Sequence, residues 1–302
     1  MSNITAIIVV KGNPEHLGET LDSIKTFADE ILIGDIGIDK KVLDELRITS
    51  IIRIIEVKRE VAYVELVRDE LQKQATHEYV LVLDPDEIVP QKLIFALRKS
   101  MGEYDYVKIP RKNIIFGKWI QHSRWWPDYQ VRFFKKGAVS WPKIIHAQPA
   151  TSGKELILEA NEEMALIHYN YKDLNEYLSK ASRYAAAEAA EDIVKGEPAT
   201  FKFYSKKALS EFVSRYFAHD GYKDGMHGFT LAFLQMMYYF LVYFYVLEER
   251  KFEKVSDENI LKGLIQFFSS ALYETTHWSK QKGLVKISLL KSKLQNAIHK
   301  LS

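Results

Sequence analysis

Two periods of hydrophobic patterning divide this chain. In its first half, short β-branched runs alternate with stretches whose apolar residues recur at helical spacing. Residues 5–10 predict a strand, and 14–27 a helix with Leu17, Leu21 and Ile24 on one face. Strands are then expected at 30–33, 50–57 and 79–83, a helix over 62–74, a helix over 90–100 and a strand at 104–109. Strand-helix alternation of this kind predicts an α/β fold, a mostly parallel sheet flanked by helices. After Arg111 the rhythm breaks into a stretch rich in Trp, Pro, Gly and His, with a short strand expected at 130–134. Beyond Asp173 the period is helical, over 173–194, 201–217, 228–250 and 257–275, with breaks at Gly196-Glu197-Pro198 and the glycines of 221–228. The expected division is an α/β domain over 1–171 and a C-terminal α-helical region over 172–302.

Composition narrows this picture only in places. With 302 residues, 47% apolar and 27% charged, the chain can bury a sizeable core, and a net charge of +2 makes no case for nucleic acid. The absence of cysteine excludes disulfides, zinc-thiolate centres and thiol nucleophiles. The N-terminus has no basic n-region followed by a long apolar core, so cytoplasmic residence is expected. The apolar run 229–247 is just long enough to span a bilayer, yet its four tyrosines favour a buried helix of the helical region. From Thr275 onward there are six lysines and no acidic residue. The segment 280–302, with Leu289, Leu290, Leu294, Ile298 and Leu301 among lysines, reads as a basic amphipathic helix for anionic lipid or as a helix packed on its own domain or a partner subunit.

The candidate chemistry starts where the strand at 79–83 ends, in Asp84-Pro85-Asp86-Glu87. Ligands of open α/β sheets bind outside the carboxyl ends of the strands. Two carboxylates there suit Mg²⁺ or Mn²⁺, which keeps part of its shell for substrate phosphates and water. The strand-to-helix turn Lys11-Gly12-Asn13-Pro14-Glu15 is a place for a nucleotide, and equally a helix start with Asn13 as cap and Pro14 in the first turn. Asp35 could accept from a base or ribose, or be a solvated turn residue beside Gly34 and Gly37. Arg68 could pair with a diphosphate or form an ordinary ion pair. Asp128, within Trp125-Trp126-Pro127-Asp128-Tyr129, sits among aromatics that could raise its pKa and offer a platform to a sugar ring; the alternative is a structural loop. Of the histidines near these motifs, His146 is favoured over His168 as a further metal donor.

Taken together these segments resemble family 2 glycosyltransferases of the GT-A (Rossmann-like) type. The resemblance runs through Lys11–Glu15, Asp35, Arg68-Asp69, Leu83–Glu87, Pro110–Asn113, Gly117–Ile120, Trp126–Arg132, His146 and His168–Tyr171, and covers roughly residues 4 to 250. It is similar to the bacterial branch that adds a glucose-type sugar to the lipopolysaccharide inner core; Asp220-Gly221 and Asp224-Gly225 fit that branch as well. The resemblance implies an inverting, metal-dependent hexosyltransferase that moves sugar from a nucleotide-diphospho-sugar, a UDP-sugar, to a hydroxyl of a cell-envelope glycan or lipid-linked acceptor. Asp128 would be the catalytic base. Lys11, Glu15, Asp35, Arg68 and Asp84 would bind the nucleotide-sugar. Asp86 and His146 would hold Mg²⁺ or Mn²⁺, and Trp126, Tyr129 and Arg132 would form the acceptor or sugar platform. The implied location is cytoplasmic, peripheral at the inner membrane face, with a homo-oligomer as a further option and no nucleic acid. Gly12, Pro14, the hydroxyl-free Asp35–Asp39 segment and Asp69 depart from the family pattern. They leave open a non-catalytic sugar-nucleotide binder, or a nucleotidyltransferase for which Lys11-Gly12 would be a poor triphosphate loop.

Overall fold

The computed structural model describes residues 4–57, 65–141, 149–253 and 257–285. The chain divides into two compact units, one of residues 1–115 and 126–170, the other of 116–125 and 171–302.

The first unit is the α/β one. In chain order it contains β1 (Ile4–Gly12), α1 (Leu17–Ile24), β2 (Glu30–Ile38), α2 (Lys40–Arg47), β3 (Ile52–Glu56), α3 (Glu65–Gln74), β4 (Tyr79–Leu83), β5 (Glu87–Ile88), α4 (Gln91–Ser100) and β6 (Tyr106–Ile115). β7 (Lys118–Trp119) belongs to the second unit. The first unit resumes with β8 (Asp128–Lys135), the ribbon of β9 (Val139–Ser140) and β10 (Ala150–Thr151), β11 (Glu155–Ile157) and β12 (Leu166–Tyr171), whose last residue is counted to the second unit. The main sheet runs β3-β2-β1-β4-β8-β6-β12-β5. Its first four strands are parallel, while β8 is antiparallel to both β4 and β6.

Side chains of a strand alternate between the two faces of a sheet, and both faces are covered here, which is why the parallel strands read as unbroken apolar runs. Ile4, Ala6, Ile8 and Val10 of β1 meet Leu17 and Ile24 of α1, Val42 and Leu46 of α2, and Leu93 and Leu97 of α4. Ile7 and Val9 meet Val67 and Leu71 of α3 on the other side. Gly34 lies in β2 where an added Cβ would stand 2.6 Å from Leu71 Cδ1, so its lack of a side chain gives α3 room.

Two local expectations are corrected. The first helix starts at Leu17 with His16 as its cap residue, so Asn13 and Pro14 neither cap it nor lie within it. β2 runs on to Ile38, and after Asp39 comes a helix, α2, where the hydrophobic pattern predicts no element.

The second unit holds α5 (Leu174–Lys195), α6 (Phe201–Val213), a π-helical turn at Ser214–Ala218, α7 (Met226–Glu249) and α8 (Asp257–Gln281). Asp173 caps α5 by accepting from Glu176 N–H at 2.9 Å, and Gly196, at φ 72°, ends it. The Asp220–Gly225 motif is structural: buried Asp224 accepts from the His122 N–H at 2.9 Å, and Lys118 Nζ donates to the Asp224 carbonyl at 2.8 Å. The expected burial of the apolar run is half met. Leu231, Ala232, Val242 and Val246 of α7 are buried, whereas Met226, Phe229, Phe233, Met237 and Phe244 form an exposed stripe. α8 exposes a second stripe, Leu261, Ile265, Phe268 and Leu272. By length and composition α7 alone among the described helices could cross a membrane.

Candidate active site

The acidic loop after β4 is a tight turn held from three sides. Glu87 N–H donates to the Asp84 carbonyl at 3.1 Å, and Asp84 N–H donates to Glu87 Oε2 at 2.9 Å. Thr20 of α1 donates its hydroxyl to the Pro85 carbonyl at 3.0 Å, and Tyr169 N–H donates to the Asp86 carbonyl at 3.0 Å. The Tyr169 ring stacks on His16 with 3.9 Å between centroids, so the start of α1 and β12 flank the loop together.

Beneath the loop lies a layer of alternating charges. Asp84 is gripped on both oxygens, by Arg68 Nη2 on Oδ1 and by Arg132 Nη2 on Oδ2, each at 2.5 Å. Glu87 is fully buried and accepts from Arg132 at 2.7 Å and from Arg111 at 3.1 Å. Arg111 Nε also donates to Asp128 Oδ2 at 2.8 Å. Burial alone would push the Asp84 carboxyl up, but Arg132, Arg68 and Arg111 together hold it far below the usual carboxylate range. Burial likewise disfavours the Arg132 charge, and Asp84 with Glu87 more than offset that and raise its pKa.

Asp128 opposes Arg111 in the β6–β8 register, as a cross-strand pair. Its Oδ2 also accepts from Asn113 Nδ2 at 3.0 Å, and its Oδ1 from Gln130 Nε2 at 2.8 Å. The aromatic setting suggested a raised pKa, and the structure corrects this. Burial does act upward, yet Arg111, Asn113 and Gln130 outweigh it and lower the Asp128 pKa. The far side of Asn113 faces His168, whose Nδ1 is 2.7 Å from Asn113 Oδ1. The other ring nitrogen of His168, Nε2, lies 3.7 Å from Asp86 Oδ1, beyond a direct hydrogen bond.

The sequence candidates therefore separate. Asp84, Asp86, Arg68, Arg132 and Asp128 share one network. Arg132 is not a surface platform: it is 4% exposed, at a break in the β6–β8 register, because two carboxylates need its charge beneath them. Arg68 is also buried and directed to Asp84. Tyr129 spends its hydroxyl on the Leu158 carbonyl at 3.0 Å, and Trp126 is half-buried just ahead of β8. Lys11 and Glu15 are exposed at the end of β1 and just beyond it. Asp35 stands apart from the network, its Oδ1 accepting from the Gly37 and Ile38 amides at 2.8 Å each. It does line a cavity of about 490 Å³ with Leu43, Arg47, Ile52, Ile54 and Glu56. His146 lies outside the described residues.

Glu87, Arg111 and Asn113 lie in motifs read from the sequence but are given no role there, and His168 ranks below His146 in that reading. A signal for two of them existed. Val107, Ile109, Arg111 and Asn113 fall on one face of β6 by strict alternation, the first two in the core and the last two in the site.

For a divalent cation, the donors are Asp86 and His168 Nε2, since both Asp84 oxygens are engaged by arginine. Among the described residues no cluster of three acidic, His or Cys side chains could hold a metal. Two donors still fit Mg²⁺ or Mn²⁺ when phosphate oxygens and water complete the shell.

No family model matches the chain. Solved structures with a similar arrangement include S. aureus TarS 1–349, at a TM-score of 0.43 and 12% identity over 61% of this chain and 64% of that one. The same protein in complex with UDP gives 0.42 and 14% over the same shares. GalNAc-T7 with UDP, GalNAc and Mn²⁺ gives 0.30 and 15% over 38% of this chain and 24% of that one. The chain thus spans less than two thirds of each of these proteins.

Proposed function

We propose that this chain is a metal-dependent inverting glycosyltransferase of the family 2 type, taking a nucleotide-diphospho-sugar, a UDP-sugar by resemblance, and a hydroxyl of a cell-envelope glycan or lipid-linked acceptor. One observation carries the reading. The acidic loop at the carboxyl end of β4 and the Asp128 carboxylate belong to a single network with buried His168 and Asn113, so a cation-and-diphosphate position and a base would be built into one frame. Charge supports the cation. Three guanidiniums, Arg68, Arg111 and Arg132, face four carboxylates, Asp84, Asp86, Glu87 and Asp128, leaving one negative charge on the floor. A diphosphate approaching that floor would be repelled without a cation.

In this reading Asp86 and His168 hold Mg²⁺ or Mn²⁺, which when bound offsets the charge developing on the leaving diphosphate. Arg68 and Arg132 keep Asp84 ionised and fixed beside it. Asp128, held ionised, takes the proton of the acceptor hydroxyl as that oxygen bonds to the anomeric carbon. The bond from that carbon to the diphosphate breaks, the electron pair leaves with the diphosphate, and the configuration inverts. The Asp35 cavity is the proposed nucleotide end, with Lys11 and Glu15 as further proposed nucleotide contacts. Trp126 and Tyr129 remain the proposed sugar platform through their ring faces. The helical unit is assigned to the acceptor side, at the inner face of a membrane, on the strength of the exposed α7 and α8 stripes. The hydroxyl-free Asp35–Asp39 segment is what favours the alternative, a binder without turnover.

The test is binding and hydrolysis across UDP-, GDP- and CMP-sugars, with and without Mn²⁺, for wild type and Asp86→Ala. Metal-dependent release of one nucleoside diphosphate, lost in the variant, is the expected outcome. A folded protein that binds none of these donors would refute the assignment.

A further inference from the structure

Asn113 is fully buried, and its amide has a direction set by chemistry. On one side stands Asp128, whose Oδ2 is 3.0 Å from Asn113 Nδ2 and which, ionised, can only accept. The amide nitrogen must therefore face Asp128, and the amide oxygen must face His168. At 2.7 Å from His168 Nδ1, that oxygen can only accept, so Nδ1 must carry the proton. The neutral ring then presents the lone pair of Nε2 on the side of Asp86, 3.7 Å from Oδ1. His168 is buried as well, so the ring has little freedom to escape this arrangement.

We propose that Asn113 is a positioning residue that reads the Asp128 carboxylate on one side and fixes the His168 tautomer on the other, turning Nε2 into a cation donor beside Asp86. The orientation step stands on geometry alone; its use for a cation rests on the transferase reading. An imidazole ligand whose second nitrogen donates to a fixed oxygen is the usual way a protein sets ligand orientation, and losing that partner typically weakens metal binding about 10- to 100-fold. A structural asparagine would leave the tautomer of His168 unconstrained, so the tautomer separates the two roles.

The experiment uses the full chain with ¹⁵N-labelled histidine, metal-free and at pH 8, where a free imidazole is neutral. Long-range ¹H–¹⁵N correlation reads the tautomer of each of the nine histidines, with His168 assigned by His168→Gln. The expected result is protonation on Nδ1 in wild type and a mixed or reversed tautomer in Asn113→Leu. Mn²⁺ binding in the presence of UDP should weaken at least tenfold in that variant. Asn113→Ala, which removes the accepting oxygen without adding bulk, should shift the tautomer in the same way and serves if the leucine variant fails to fold. Protonation on Nε2 in wild type, or an unchanged tautomer in Asn113→Leu, overturns the proposal. A shifted tautomer in a protein that binds no Mn²⁺ in any form supports the orienting role of Asn113 and refutes the metal reading alone.

Discussion

Glu30 is a clamp at the end of the sheet away from the acidic loop, and its contribution to stability can be worked out. Its Oε2 accepts from the Thr5 hydroxyl at 2.7 Å, the Thr76 hydroxyl at 2.8 Å and the Thr76 amide at 3.0 Å, and its Oε1 accepts from Arg53 Nε at 3.0 Å. It thus joins the starts of β1, β2 and β3 to the segment between α3 and β4. Burial pushes its carboxyl up, but the Thr76 amide, the two hydroxyls and Arg53 together hold it down at about 2, against 4.5 in the unfolded chain. A carboxyl lowered in the folded state stabilises above its unfolded pKa, and the contribution is lost as pH falls toward the folded one. The lowering corresponds to about 3 kcal/mol at pH 7, of which about 2 kcal/mol remains at pH 3.5. This is an upper bound, since Arg53 is 41% exposed and water screens it. Urea unfolding followed by circular dichroism, for wild type and Glu30→Gln at pH 7 and pH 3.5 and equal ionic strength, reads the difference. The expected outcome is a variant less stable by 2 to 3 kcal/mol at pH 7, on the order of the linkage value, with the gap narrowing by about 1 kcal/mol at pH 3.5. A gap independent of pH, or a variant as stable as wild type at pH 7, would show that the clamp is not held by charge.

Arg132→Met should destabilise the first unit by roughly 3 to 5 kcal/mol, because Glu87 is left fully buried with Asp84 beside it and the one guanidinium that contacts both carboxylates gone. Thermal unfolding checks this, and a shift in Tm of less than 2 °C would refute the claim that Arg132 neutralises that pair. For the helical unit, wild type should co-sediment with vesicles containing phosphatidylglycerol. Phe268→Glu with Leu272→Glu, and separately deletion of residues 280–302, should each cut the bound fraction severalfold. Undiminished binding in both would sink the membrane assignment.

Three strands of the parallel half, β1, β2 and β4, were legible because they are buried on both faces and so show as continuous apolar runs, as in Tyr79–Leu83, where expected and observed bounds coincide. Bounds drifted wherever a strand leaves the core. β2 and β6 each run on past their apolar runs, β2 through Asp35 to Ile38 and β6 through Arg111 and Asn113 to Ile115. Hydrophobicity reports burial in the core and says nothing of strands that continue into a polar site. The helix α2 was missed for a related reason: only Val42 and Leu46 of its eight residues are buried, too few to print a period.

The same logic explains which site residues could be read from the chain. Asp84, Asp86 and Asp128 were visible because they sit in conspicuous local motifs, at a strand end and in an aromatic run. Their partners come from distant segments, and only strand pairing brings them near. Arg111 meets Asp128 through the β6–β8 register, and His168 reaches Asp86 because β12 pairs with β5. Local context therefore gave the wrong sign for Asp128. Its aromatic neighbours in sequence suggested a carboxyl pushed up, whereas its neighbours in space are a guanidinium and two amides that pull it down. Such a carboxylate is a weak base in isolation. As a base it is effective only if the proton moves late, once the acceptor oxygen has begun to bond and its own acidity has risen. In the proposed reaction Arg111 would bear on both ends, since the guanidinium that holds Asp128 ionised also donates to Glu87 beneath the acidic loop. In the proposed transfer, a proton arriving on Asp128 would weaken its hold on Arg111 and free positive charge for the Asp84–Glu87 side, where a leaving diphosphate would gather negative charge.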